Sequence, residues 1–399
     1  MASEIYYDPY DYELDANPHP MWKRMRDELP LYYNAKFDFF AVSRYQDVRE
    51  LSVNWQTYSS AYGSVLELID AGPEVLELAR NMLFEDPPIH DLHRSVLARA
   101  FTPRRINDLE PHIRALCGEY LDAQVGSGGF DYVGELARKL PMMVIGMLLG
   151  VPEEDRDYLR TLADASVHRD EGDTEFATDA QAESMAYFGT QAERRKSEPA
   201  DDLTTVLVEA EFDDEDAGTR RRLTDQELAQ YLALVSAAGN ETVTNLIGWT
   251  GKTLAAHPAE RQKLVDDPSL IPNAIEELLR FEAPSPIQAR VVMKDVELYG
   301  QTVKEGSKMA LLTASANRDD RVYSTPDPDI FAVDRSFDHH MSFGHGVHFC
   351  LGAALARMEG RIALEETLKR FPIWDVDEAN AEMVHTSTVR GWERLPIVF

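Results

Sequence analysis

One short run, residues 343–352, contains the side chains in this sequence best suited to holding a metal. It is spelled Phe343-Gly344-His345-Gly346-Val347-His348-Phe349-Cys350-Leu351-Gly352. A helical pattern begins at Ala353, so Cys350 is predicted to lie just before a helix N-terminus. The partial positive charge and the free N–H groups at such a terminus favour thiolate over thiol. A thiolate held by backbone donors is suited to be an axial ligand of iron.

Two other interpretations of Cys350 remain open on these residues alone. The cysteine could be buried and unreactive, or it could form a zinc site with His345, His348 and the nearby His339 and His340. A zinc site would not require the three glycines of the run. A loop that turns tightly against a flat surface would require them.

The run matches every fixed position of the heme-binding signature Phe-Gly-x-Gly-x-His-x-Cys-x-Gly, so the chain resembles the cytochrome P450 superfamily, in particular its soluble bacterial members. The resemblance extends from Asp86 to Leu395-Pro396. It implies heme b (iron protoporphyrin IX) with Cys350 as the proximal iron ligand, and cofactor contacts from Phe343, Gly344, His348 and Gly352.

The resemblance also implies the fold. We expect a mainly α protein with a smaller β-rich part, in which helices form a triangular prism around the heme. Residues 1–399 would make a single domain. Its β-rich portion is expected at roughly 30–60 and 285–335, with further strands near the C-terminus.

Four basic residues are expected to hold the two heme propionates, because a buried anion requires positive or hydrogen-bond-donating partners. The segment Asp86–Arg94 resembles the one that enters the third helix of the family. Within it, His90 and Arg94 are four residues apart and face the same side of a helix. Arg290 and His348 complete the predicted set. The other interpretation of His90 and Arg94 is a solvated helix face.

A long helix must position part of this site. Thr224 and Glu227 form a capping box, and helical periodicity continues to about Ala256, before His257-Pro258. At ~1.5 Å per residue, a helix of this length crosses the whole molecule.

The middle of this helix, residues 238–242, contains poor helix formers, and their presence there requires an explanation. One explanation is a glycine that allows close helix packing, with the polar groups satisfied locally. The family resemblance implies another, an oxygen-binding groove. In that groove Ala238 and Gly239 would lie against the cofactor and dioxygen, Thr242 would donate a hydrogen bond to dioxygen, and Glu241 would help relay protons from solvent.

Glu277 and Arg280 resemble the Glu-x-x-Arg motif of the family, and Arg335 would complete a structural triad that holds the cysteine loop. The same spacing occurs at Glu77–Arg80, Glu135–Arg138 and Glu153–Arg156, where surface ion pairs are expected. The pair Glu277 and Arg280 differs from these three in its position, because the pair follows the long helix and precedes Cys350.

The remaining elements are predicted from local patterns. Phe39–Val42 reads as a strand, and helical periodicity dominates from about 90 to 270. Residues 211–218 read as an exposed acidic loop. Between 285 and 313, β-branched runs and a turn at Tyr299-Gly300 predict a small sheet.

Composition limits the partners of the chain. It has 399 residues, with 70 Asp and Glu against 40 Lys and Arg, for a formal net charge of −30. Such a surface repels nucleic acid and anionic membranes. Two cysteines are too few for a disulfide framework. With no secretory signal and no apolar stretch of about 18 residues, a cytoplasmic monomer without a membrane anchor is expected.

The resemblance implies a monooxygenase that activates dioxygen and hydroxylates or otherwise oxidises a hydrophobic small molecule. Electrons would come from an acidic ferredoxin with its reductase. A basic patch would steer that partner, formed by Arg94, Arg99, Arg104, Arg105, Arg357 and Arg361. The other interpretation of these arginines is scattered solubilising charge.

The substrate pocket is expected to be apolar. By resemblance its walls would come from residues about 60–84, about 165–190, Ser285–Gln288 and Ser387–Val389. Two further functions remain open: a peroxygenase that uses hydrogen peroxide directly, and a heme-thiolate binding or sensing protein without turnover. The intact Glu241-Thr242 pair favours oxygen activation over both.

Overall fold

The structure is a computed structural model that describes residues 5–168, 174–214, 218–384, 386 and 388–399. Helices dominate, as predicted. In the described residues they are α1 (Tyr12–Ala16), α2 (His19–Glu28), α3 (Tyr45–Val53), α4 (Leu66–Ala71), α5 (Pro73–Ala79), α6 (Ile89–Ala98), α7 (Pro103–Asp122), α8 (Lys139–Leu149), α9 (Glu153–Val167), α10 (Thr178–Ser197), α11 (Leu203–Glu209), α12 (Asp225–Ala256), α13 (Pro258–Asp266), α14 (Ile271–Phe281), α15 (Thr313–Ala316) and α16 (Ala353–Arg370).

Short strands form the β-rich part. They are β1 (Leu31–Asn34), β2 (Phe39–Val42), β3 (Tyr58–Ser59), β4 (Gly129–Asp131), β5 (Glu211–Asp214), β6 (Thr219–Arg222), β7 (Gln288–Val292), β8 (Val296–Leu298), β9 (Gln301–Val303), β10 (Lys308–Leu311), β11 (Asp375–Val376), β12 (Glu382–Val384), β13 (Gly391–Arg394) and β14 (Pro396–Val398). The largest sheet has the order β1-β2-β10-β7-β3, in which β10 runs parallel to β2. This sheet places β7, which contains Arg290, beside the N-terminal strands.

The long helix α12 begins and ends where the sequence predicts. Thr224 caps it by accepting a hydrogen bond from the Glu227 N–H, and the Glu227 carboxylate accepts the Thr224 N–H in return. The α-helical backbone is continuous through residues 238–242. Most of its side chains are buried, because α8, α9, α10 and α16 all pack against it.

The prediction of an exposed acidic loop at 211–218 is wrong for its first half. Glu211–Asp214 is a strand that pairs with Thr219–Arg222, while residues 215–217 lie outside the described residues. The register places Glu211 opposite Arg222, and opposite charges across two strands stabilise their pairing. The acidic residues of this segment did not indicate that a basic strand follows and pairs with them.

The predicted turn at Tyr299-Gly300 is confirmed. It joins β8 to β9, and both residues have positive φ, 53° for Tyr299 and 76° for Gly300. Two left-handed residues in a two-residue hairpin match the twist of the strands, which explains the glycine.

Apolar packing is divided around α12. One buried cluster joins α7, α12, α14 and α16, and a second joins α8, α9, α10 and the first half of α12. In the described part of the chain, no helix has the length and apolarity needed to cross a bilayer.

Candidate functional site

The loop before α16 is closed on itself by its backbone. The Cys350 N–H donates to the Phe343 carbonyl at 2.8 Å. Gly344 and Gly346 have φ of 68° and 77°, a conformation that disfavours other residues. A side chain at Gly346 would also lie 3.0 Å from the backbone oxygen of Ser52. The glycine requirement inferred from the sequence therefore has a geometric cause at these two positions.

Opposing effects act on the pKa of the Cys350 thiol. Burial raises its pKa, and the Gly352 N–H, Arg94 and Arg357 lower it without reversing the rise. The backbone donor at the helix terminus acts in the direction predicted from the sequence, but it does not outweigh burial. A metal cation bound at Cys350 would hold the thiolate.

Histidines and arginines predicted to bind propionates do meet beside this loop. The rings of His90 and His348 lie 4.5 Å apart between centroids. Arg94 donates to the Phe349 carbonyl at 2.6 Å, so it contacts the cysteine loop directly. Arg290 is buried at 3% exposure, and its hydrogen bonds go to the Ala289 carbonyl and the Gln288 amide oxygen.

This cluster has unused donors. Among the described residues, the Nε2 atoms of His90 and His348 are buried and have no hydrogen-bond partner. Burial and the neighbouring charges of Arg290, His90 and Arg94 lower the pKa of His348 to about 3. Burial also lowers the pKa of Arg290 to about 10. A buried anion with several oxygens would satisfy these donors and balance the charge, so the residues fit the carboxylates of heme.

The Glu-x-x-Arg pair forms the predicted triad. Glu277 bonds Arg280 at 2.6 and 2.9 Å and Arg335 at 3.0 Å. All three side chains are almost fully buried. The triad reaches the cysteine loop in two steps. Arg280 donates to the Asn317 carbonyl, and the Asn317 side chain bonds Ser342 and the Met341 N–H.

The three other pairs with this spacing differ from one another. Glu77 and Arg80 form the expected exposed ion pair. The expectation is wrong for the other two. Glu135 pairs with Lys139 and Arg138 with Glu393. Arg156 donates to the Val151 carbonyl, which leaves it no bond to Glu153. Tertiary partners outweigh helical spacing at these sites.

The middle of α12 contains both a functional and a packing feature. The Thr242 hydroxyl donates to the Ala238 carbonyl at 2.8 Å. A side chain at Gly239 would lie 3.0 Å from Cδ1 of Ile145 on α8. The absent side chain of Gly239 therefore allows α12 and α8 to approach, which is the packing explanation. Glu241 is buried and accepts a hydrogen bond from Asn240 at 3.0 Å.

The zinc interpretation is not supported. Within the described ranges, no three His, Cys, Asp or Glu side chains converge on a position where they could hold a metal ion. His340 instead bonds Glu276 at 3.3 Å.

Three of the four predicted pocket walls meet around one cleft. Its lining includes Val65 and Leu66, Ile287 and Gln288, and Thr388. A neighbouring cleft shares Ile287. The fourth predicted wall, about 165–190, lines neither cleft, and its residues 169–173, like Ser387, lie outside the described residues.

Known proteins share this sequence and this fold. A family model for cytochrome P450 matches residues 169–389. Cytochrome P450 123 of Mycobacterium tuberculosis is 42% identical over 398 residues, covering 99% of this chain and 97% of that protein. The chain is a cytochrome P450. The structure of PksS, the cytochrome P450 of the Bacillus subtilis 168 bacillaene polyketide synthase, agrees with a TM-score of 0.88. It is 32% identical and covers 98% of this chain and 99% of that chain.

As a cytochrome P450, the chain is a heme b monooxygenase that acts on a hydrophobic substrate with dioxygen and redox partners. The triangular helical fold expected for the family is confirmed. Its cofactor site was not fully identified from the sequence, which did not reveal Glu276. This carboxylate binds Arg357 at 2.6 and 2.9 Å, and Arg357 lies 4.5 Å from the centre of the Phe343 ring. No motif signals Glu276; its position beside Glu277 was the available hint.

Proposed function

We propose that this P450 binds heme b through the Cys350 thiolate and oxidises a free hydrophobic small molecule, with electrons from a separate acidic ferredoxin and its reductase. One observation carries the heme assignment. Two buried histidine Nε2 atoms without partners lie beside a buried arginine and next to the cysteine loop. Asp91 bonds Nδ1 of His90 and leaves both Nε2 atoms without a partner among the described residues, so these buried donors call for an anionic ligand such as the two propionates.

The chain's own groups have distinct tasks in this proposal. His90, Arg94, Arg290 and His348 would hold the carboxylates of heme, and the Cys350 thiolate would bind its iron. Bound heme supplies the iron on which dioxygen is activated. The Thr242 hydroxyl, now bonded to the Ala238 carbonyl, can turn to hold a proton at the dioxygen site, and Glu241 supplies that proton from within the protein.

The hydrophobic substrate class is the one that the family implies, and the lining of the cleft is compatible with it. Its apolar residues are Pro9, Val65, Leu66, Ile287 and Ala289, while Glu67, Gln288 and Thr388 supply polar groups. A mainly apolar lining favours a hydrophobic molecule.

The surface favours an acidic electron donor at a narrower patch than the sequence indicated. Arg105, Arg357 and Arg361 are paired with carboxylates of this chain. Arg104 is 93% exposed and only 4.0 Å from Asp108. Arg99 is exposed and, among the described residues, has no ion pair within 4.0 Å. We assign the docking charge to Arg99 and Arg104.

A carbon monoxide difference spectrum of the dithionite-reduced protein tests the axial ligand. The native protein should give the strongly red-shifted Soret band of a thiolate ligand, and Cys350→His should give the band of histidine ligation. Cys117→Ala is the matched control, because Cys117 is the other cysteine and lies in the core of α7. An unshifted band in the native protein, or a red-shifted band in Cys350→His, would contradict the assignment.

A second assay separates the competing functions. Product formation with ferredoxin and reductase supports the monooxygenase. Product formation with hydrogen peroxide alone indicates a peroxygenase, and the absence of turnover in both indicates a binding or sensing protein. Compounds that shift the spin state of the ferric heme supply the substrates for this comparison.

A further inference from the structure

Glu241 is connected to the surface through a second carboxyl on another helix. Asp164 on α9 hydrogen bonds with Glu241. The other side of Asp164 accepts a hydrogen bond from Arg160 Nη1 at 2.9 Å. The side chains of Asp164 and Arg160 are 26% and 27% exposed, whereas Glu241 is only 8% exposed. A short polar connection therefore leads from the long helix to solvent.

The two carboxyls cannot both be ionised without cost. Burial and the contact with Asp164 raise the pKa of Glu241 well above its ordinary range, so the pair retains a proton. Two other charged groups face Glu241. Arg138 on the segment before α8 lowers the pKa and Glu393 on β13 raises it. These two are ion paired with each other.

Arg138 and Glu393 are poorly suited to move this proton. A guanidinium does not release a proton in proteins, and Glu393 is held in an ion pair with Arg138. Asp164 differs, because it hydrogen bonds with Glu241 and has a partly exposed side chain.

We propose that Asp164 is the positioning residue through which Glu241 exchanges its proton with solvent. Glu241 releases its proton toward Thr242 and becomes a carboxylate. Asp164 then takes a proton from water at its exposed edge and passes it to Glu241 along the hydrogen bond that the two carboxyls share. One proton enters and one leaves, so the pair returns to one proton and one negative charge. The inference rests on the proposed role of Glu241 as a proton relay.

Infrared spectroscopy of the ferric holoprotein tests the pair without turnover. The native protein should show a protonated carboxyl stretch that shifts in D2O and is lost in Glu241→Gln. Asp164→Asn should move or remove this band, because the partner that shares the proton is gone. Asp157→Asn is the matched control. It removes the same charge from α9 beside Arg160, and Asp157 is 96% exposed.

A kinetic measurement tests the exchange with solvent. NADH oxidation with a plant-type ferredoxin and its reductase is compared in H2O and D2O over a range of pH. Asp164→Asn should slow this rate by about tenfold, a modest part of what general acid–base catalysis contributes. It should also enlarge the solvent isotope effect and change the pH profile. Asp157→Asn should differ from the native protein by less than about twofold.

The outcomes separate the two levels of the proposal. A native infrared band and a native isotope effect in Asp164→Asn, with Glu241→Gln impaired, would overturn the role of Asp164 alone. A native rate and isotope effect in Glu241→Gln would overturn the relay assigned to Glu241, and the inference about Asp164 with it. The red-shifted carbon monoxide band of each variant establishes that its heme site is intact.

Discussion

Thr242 has its only hydrogen bond in the described structure to a carbonyl of its own helix, the Ala238 oxygen at 2.8 Å. Such an i−4 bond leaves the hydroxyl oxygen free to accept, and the bond can be exchanged for one to a ligand. A threonine is therefore a switchable donor at this position. Valine would fill the same space but could neither accept nor donate.

Thr242→Ala should release more hydrogen peroxide per molecule of product, because the donor that holds a proton at the dioxygen site is lost. Hydrogen peroxide and product are measured for each NADH consumed. Thr250→Ala is the control, since Thr250 makes the same i−4 bond on the same helix, to Leu246. Unchanged coupling in Thr242→Ala would refute the role.

Glu276 gives the cysteine loop a pH-dependent support. Burial opposes ionisation, but hydrogen bonds with His340 and Arg357 lower the pKa of Glu276 from 4.5 to about 2. A carboxyl whose folded pKa is lowered stabilises the protein above its unfolded pKa. That stability is lost as pH falls from about 4.5 toward 2.

Glu276→Gln should lower the free energy of unfolding by about 1 kcal/mol at pH 7, a value reduced for the partial exposure of the pair. The difference from the native protein should shrink as pH falls below about 4.5. Urea unfolding from pH 7 to about pH 3.5 measures this. Glu305→Gln, on an exposed turn, should show no such trend, and a pH-independent difference for Glu276→Gln would contradict the assignment.

At the scale of elements, the approach of α12 to α8 depends on one missing side chain. The position of a Cβ on Gly239 lies 3.0 Å from Ile145 Cδ1 and 3.1 Å from Cγ1. Helix α12 carries Thr242 and Glu241, and Arg138, just before α8, is one of the charged groups that face Glu241. Packing at this contact therefore sets where the functional side chains lie.

Gly239→Val should destabilise the protein by about 1–3 kcal/mol through overpacking. Ile145→Ala alone should also destabilise the protein. The loss of unfolding free energy in the double variant should be smaller than the sum of the losses in the two single variants, by about 1 kcal/mol or more. Chemical denaturation of the four proteins measures the coupling. If the losses of unfolding free energy were strictly additive and heme affinity were lowered in both variants that carry Gly239→Val, the cofactor contact predicted from the sequence would be favoured instead.

The sequence predicts elements best where the signal is local. The capping box at Thr224 and Glu227 and the turn at Tyr299-Gly300 are confirmed, because both depend on neighbouring residues. The strand Glu211–Asp214 was missed, because its charges are balanced by a second strand. Asp164 was missed for a similar reason, since nothing in its own helix shows that it faces Glu241.

For the whole molecule, the number of arginines predicts little about where a partner binds. The partner carboxylates of Arg105, Arg357 and Arg361 lie far away in sequence, at Asp201, Glu276 and Glu110. Only the fold shows which cations are already neutralised. With a net charge of −30, the few cations left free determine where an acidic protein can approach.

The double variant Arg99→Glu and Arg104→Glu should slow reduction by an acidic ferredoxin, and more strongly at low salt, where screening is weakest. Stopped-flow reduction at several ionic strengths measures this. Lys294→Glu with Lys304→Glu makes the same change of net charge at exposed positions of the β-rich part and is the control. Equal slowing by both double variants would indicate a general charge effect and would contradict the assignment of the docking site to Arg99 and Arg104.

The parallel pairing of β10 with β2 also constrains the order in which the chain can fold. Strand β2 ends at Val42, and its partner begins at Lys308. The ribosome adds roughly 5–20 residues each second, so β2 waits many seconds for the strand that completes its sheet. His90 waits about as long for His348 and Cys350. The pieces of the heme site therefore meet only after Cys350 has been synthesised, and cofactor capture follows that step.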